Sequence, residues 1–280
     1  MMWIKRVLLI GNLVSHVFAA APATANGNES HCVGVNGLSP KCRPVEAAHH
    51  REVYYVGGRY EVNASTGLQS LIDQVYVEKL TPNNYSRRRF PYPLVFFHGG
   101  GYSGTAWLQT PDGRQGMASY FLQRGYQVYL IDQTGTGRST QNNQAIYPTI
   151  GVITANATLR KFTRMQDYND YPQARLHTQW PGTGRPGDAA FEAMVALGAP
   201  ATTNNDAVEL SMRNAGCQLL SIIGKSFLIS HSIGALHPDP AVRPLPGINP
   251  RQPQPGTDHH PLRIGPGDLS TPPTAAAPRR

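Results

Sequence analysis

One serine in the chain stands where covalent catalysis is possible. Ser230-His231-Ser232-Ile233-Gly234 follows the apolar run at 225–229 (KSFLI) and leads into small residues. A serine on a sharp strand-to-helix turn holds its hydroxyl clear of the sheet, where it can attack an acyl carbon. Small residues two before and two after it let the strand and helix cross closely. Here they are Ser230, where the usual pattern has glycine, and Gly234. A buried strand ending in a serine-rich turn would read the same way, so a second motif matters. His98-Gly99-Gly100-Gly101 closes an earlier apolar run at 94–97 (LVFF). Glycine lets backbone N–H groups come close to a carbonyl oxygen as it gains charge. The chemistry implied is acyl transfer.

Two other glycine-containing segments resemble phosphate-binding loops and fail. Gly135-Thr136-Gly137 follows a strand, but the third glycine position of a dinucleotide fingerprint is Thr140. Gly224-Lys225-Ser226 lacks the glycine five residues earlier (Leu219 stands there) and enters a strand rather than leaving one.

The elements that must hold the serine and the glycine loop alternate along the chain. Residues 51–62 (REVYYV, Gly57-Gly58, RYEV) predict a hairpin with a glycine turn, and 74–80 (QVYVEKL) a further strand. Residues 94–97 predict a strand buried on both faces, 116–124 a helix capped by Gly125, and 127–132 (QVYLID) another buried strand. Residues 206–216 read as a helix and 225–229 as a buried strand. The expected fold class is α/β, a mostly parallel sheet with helices on both faces.

Residues 94–140 resemble the α/β-hydrolase superfamily. They are similar to a bacterial and fungal secreted esterase branch with W-x-x-T-P-D-G-R after the oxyanion loop, here Trp107, Thr110, Pro111, Asp112, Gly113 and Arg114. That branch has a Ser-His-Ser elbow, which accounts for Ser230. Asp170-Tyr171-Pro172 to Trp180-Pro181 resembles its cap insertion, placed at 140–205 within a hydrolase domain at 51–236. The resemblance implies Ser232 as nucleophile, the N–H groups of Gly100 and Ile233 as the oxyanion hole, and a carboxylic ester as small-molecule substrate. No metal or organic cofactor is implied. Cysteines that often follow the His-Gly pair in this branch are replaced by Gly100 and Gly101.

In such hydrolases the triad runs Ser, then Asp or Glu, then His. After Ser232 the chain has 48 residues, and its last 44 (237–280) hold twelve of the 24 prolines and no Phe, Tyr or Trp. Pro238 and Pro240 would stop the helix after the elbow. No apolar strand follows to flank 225–229. Asp258, His259 and His260 are the tail candidates for acid and base, in a Pro-rich segment with nothing to fix them. The expectation is therefore a sheet incomplete on its C-terminal side, from a chain truncated relative to the family. The alternative function is a non-catalytic secreted remnant or binding protein.

The beginning of the chain predicts secretion. Lys5 and Arg6 precede an apolar run and then small residues, a signal peptide with its cut after Ala19, followed by a mobile leader at 20–50. Sequons at Asn28, Asn63, Asn84 and Asn156 suit that route. Cys32 and Cys42 are close enough in sequence to pair in an oxidising compartment, leaving Cys217 as a buried small hydrophobe. The net charge of +8 comes from scattered basic residues with no aromatic-interleaved face, so it reads as a solubility property and not as a nucleic-acid footprint. No stable membrane anchor is expected, and oligomeric state is not legible. Composition excludes collagen, coiled coils and polytopic membrane architectures.

Overall fold

Residues 94–97 and 128–132 are apolar at nearly every position, and both become strands buried on both faces. A computed structural model describes residues 38–42, 46–83, 90–139, 141 and 143–235. Among them a five-stranded sheet has the order β1-β2-β4-β3-β7. Its strands are β1 (His49–Val62), β2 (Gln69–Pro82), β3 (Leu94–Phe97), β4 (Val128–Asp132) and β7 (Phe227–Ser230). A two-stranded ribbon joins β5 (Thr149–Ile150) to β6 (Ala201–Thr202). In the main sheet β1, β4, β3 and β7 run one way, and β2 runs against them.

Period-two alternation divides the core between the two faces. Val95 and Phe97 of β3, with Val75 and Val77 of β2 and Tyr129 and Ile131 of β4, pack on helix α4 (Asn205–Ile223) through Val208, Met212, Ala215 and Leu219. Leu94, Phe96, Leu80, Val128 and Leu130 face the other way, onto Ala118 and Leu122 of α1 (Met117–Gln123). Asn204 caps α4 by accepting from the Ala207 N–H at 3.1 Å. Gly224 ends it at φ +76°.

Three expectations change. Gly57-Gly58 is not a hairpin turn. The strand runs through it, with Gly58 and Asp73 omitted from the register, and the chain turns at 63–68 instead. Both glycines have positive φ (+72° and +94°), and a Cβ on Gly57 would lie 2.8 Å from Ala215 Cβ. The register is the same on either side, so the pair marks a local break in the ladder with no inserted residue, where the missing side chain lets α4 approach. The 225–229 strand is displaced to Phe227–Ser230 and is not buried, with Phe227 50% exposed; among the described residues its one neighbour is β3, in line with the expected lack of a flanking strand. Cys217 is half-buried rather than buried. In addition, β1 begins at His49, inside the segment read as leader, and Glu46 accepts from Ser119 Oγ at 2.5 Å.

Residues 143–205 hold the short helices α2 (Ala155–Thr158) and α3 (Ala189–Ala196), several single turns and the β5–β6 ribbon. Ala199 N–H donates to Gly101 O at 2.9 Å, and Phe162 meets Tyr102 edge-on at 6.4 Å. This segment therefore leans on the glycine loop.

Candidate active site

The sheet order itself points to a site. From β3 the chain passes through α1 to β4 on one side, and later through α4 to β7 on the other. Strand order reverses at β3, and in open α/β sheets ligands bind beyond the carboxyl ends of strands at such a point. Residues 98–101 and 231–234 leave the sheet there side by side, because β3 and β7 pair in parallel with Phe97 opposite Ser230.

Ser232 has φ +54°, in the left-handed region. For a residue with a Cβ that conformation costs roughly 1–2 kcal/mol. The turn is closed by His231 N–H donating to Phe97 O at 3.1 Å and Gly234 N–H donating to His231 O at 3.0 Å. Ser232 is exposed at its apex. The glycine loop packs directly against it. A Cβ on Gly99 would lie 2.6 Å from His231 Nδ1 and 3.4 Å from Ser232 Cβ. One on Gly100 would lie 3.3 Å from Ile233 Cγ2. Gly234 is tightest, since its Cβ would come within 2.4 Å of His98 O. The Gly100 N–H donates to no backbone carbonyl among the described residues.

His98 holds this loop from beneath. Its ring is 1% exposed, with Nδ1 2.8 Å from Gly99 O and Nε2 accepting the Gln133 N–H at 2.9 Å. The acceptor role at Nε2 leaves the proton on Nδ1, which donates to Gly99 O. Burial lowers the His98 pKa, so the ring stays neutral. The Gln133 side-chain amide donates to His98 O. Because Gly99 O and the Gly100 N–H belong to one trans peptide plane, fixing the carbonyl also aims the N–H the opposite way.

A second network anchors the far end of the loop. Asp132, fully buried, accepts from Gly104 N–H at 2.7 Å, Arg138 N–H at 2.7 Å and Arg138 Nε at 2.8 Å. Burial would raise its pKa, but these donors outweigh that and hold it below the ordinary carboxylate range. Arg138 also pairs with buried Glu78 at 2.5 Å and lies over the Tyr76 ring. His98, Gln133, Asp132, Arg138 and Glu78 were all missed as supports of the site. The available signals were an aspartate ending an apolar strand and a glutamate within an alternating one.

The remaining predicted residues do not gather here. Asn63 and Asn156 are exposed and remote in sequence from the turn. Cys42 is disulfide-bonded, and Cys217 is free. The signal segment, Cys32, Asn28, Asn84, Asp258, His259 and His260 lie outside the described residues. Among the described residues no three His, Cys, Asp or Glu side chains are grouped to hold a metal, and no helix is long and apolar enough to cross a membrane.

No protein-family profile matches the chain. It is similar to a "probable secreted lipase" of a fungal species, 42% identical over 181 residues, which is 64% of this chain and 45% of the lipase. A bacterial esterase structure superposes with a TM-score of 0.52 at 23% identity, over 72% of this chain and 66% of that one. The chain has the α/β-hydrolase fold. A peroxisomal α/β-hydrolase from Saccharomyces cerevisiae matches 32% of the chain with a TM-score of 0.20, too low to bear on the fold. The chain thus spans less than half of the lipase and about two-thirds of the esterase.

Proposed function

We propose that the chain is a secreted serine hydrolase of carboxylic esters, with Ser232 as nucleophile. The observation that supports it is a serine at φ +54° beyond the carboxyl end of β7, packed on the glycine loop that follows β3. In the proposed reaction Ser232 Oγ attacks the ester carbonyl carbon. The N–H groups of Gly100 and Ile233 receive the developing oxyanion, a contribution of about 3 kcal/mol per donor in such sites. The alcohol leaves, and water cleaves the acyl-serine. The base and acid would come from outside the described residues, with Asp258, His259 and His260 as candidates.

A second reading, a non-catalytic secreted remnant, is favoured by one observation. Both ring nitrogens of His98 are engaged, and among the described residues no histidine is hydrogen-bonded to a carboxylate. Hydrolysis of a short-chain chromogenic ester by the full chain separates the readings. Turnover lost in Ser232→Ala supports the hydrolase; turnover absent from the wild type, or unchanged in Ser232→Ala, overturns it.

A further inference from the structure

We propose that Asn63 is an N-glycan acceptor and that the glycan covers an apolar arm of the β1–β2 hairpin. Beyond the break at Gly58 and Asp73 the two strands continue as a paired arm, from Arg59 opposite Ile72 to Val62 opposite Gln69. Its side chains include Tyr60, Val62, Leu68 and Leu71, which are 65%, 53%, 69% and 36% exposed. Clustered exposed apolar side chains on a protruding element mark a surface that something covers or that self-associates. The tip of the arm carries Asn63-Ala64-Ser65, a sequon with all three residues exposed.

The tip geometry suits transfer. Asn63 Oδ1 accepts from Ser65 Oγ at 2.6 Å, Ser65 N–H at 3.0 Å and Thr66 N–H at 3.1 Å, an Asx turn. With the oxygen so engaged, Nδ2 points away and donates to no group among the described residues. The other described sequon differs. Asn156 lies within α2, and its Thr158 is fully buried, so the hydroxyl cannot be presented with the amide once the chain folds. Asn63 remains an acceptor before and after folding.

In the step, Asn63 Nδ2 displaces the diphosphate from the anomeric carbon of a lipid-diphosphate-linked oligosaccharide. A C–N bond forms, the glycosyl–phosphate bond breaks, an amide proton goes to solvent, and the lipid diphosphate departs. A bulky, hydrated group at this position lies over the arm and makes it soluble.

The inference rests on passage through a secretory compartment, which a reporter sequon in a C-terminal tag verifies independently. With the full chain secreted from a eukaryotic host and the tag occupied, enzymatic deglycosylation in heavy-oxygen water should mark Asn63 as labelled aspartate in most molecules, above Asn156. Asn63→Gln should lose one glycan's mass, and Ser65→Thr should keep it. Deglycosylating the folded wild type should raise apolar-dye fluorescence severalfold and promote self-association. An occupied tag beside an unmodified Asn63 overturns the site. Unchanged dye binding after deglycosylation overturns the covering role.

Discussion

Gly234→Ala tests the crossing on which the candidate site depends. Its new Cβ would lie 2.4 Å from His98 O and 2.8 Å from Phe97 O. Ordinary contact begins near 3.4 Å, so the turn and the glycine loop must separate by roughly 1 Å. Both clashing atoms are backbone and cannot rotate aside. Overpacking of this kind costs about 1–3 kcal/mol of stability. The same displacement would move the Ser232 hydroxyl relative to the Gly100 N–H, and a 1 Å misplacement can cost about 100-fold in rate. Urea denaturation followed by tryptophan fluorescence reads the first effect, and kcat on a short-chain ester the second. Gly151→Ala is the control, because its Cβ meets nothing within 4 Å. Its stability should stay within about 0.5 kcal/mol of the wild type. If Gly234→Ala is as stable as Gly151→Ala, the close crossing of turn and loop is not real.

Two further outcomes follow from the same geometry. At Ser232 the left-handed φ reverses the usual ranking of alanine over glycine, so Ser232→Gly should be more stable than Ser232→Ala by about 0.5–1 kcal/mol; thermal melts of the two variants check this, and the opposite order refutes the strained turn. Because burial lowers the His98 pKa, the unfolded chain takes up a proton at His98 below about pH 6.5 while the folded chain does not, and stability is lost as pH falls through that range. Urea midpoints at pH 7.5 and 5 should therefore fall further apart in the wild type than in His98→Gln, and an equal fall in both would show that His98 does not set this pH dependence.

Elements whose residues carry their own instructions were legible. β3 and β4 are continuous apolar runs, and α1 is bounded by Gly116 and Gly125, so local pattern and final structure agree. The serine turn and glycine loop were legible as motifs, because both need small residues at set positions. Gly57-Gly58 misled, since glycines permit a positive φ in a turn and within a strand alike, and the choice depends on α4, distant in sequence. The exposure of β7 was not written in its own four residues, but the Pro-rich stretch after it, with no apolar run to supply a neighbour, did point to an open side of the sheet. The supports beneath the loop were hidden for a related reason. Asp132, Arg138, Glu78 and His98 form a site buttress only through contacts between β2, β3 and β4.

Whether Ser232 is the nucleophile is read by labelling the full chain with a serine-reactive fluorophosphonate and mapping the adduct by peptide mass spectrometry. One phosphonyl adduct per chain is expected, on Ser232, and none in Ser232→Ala. A chain left unmodified while an active serine esterase is labelled in the same tube, or an adduct on another residue, would contradict it.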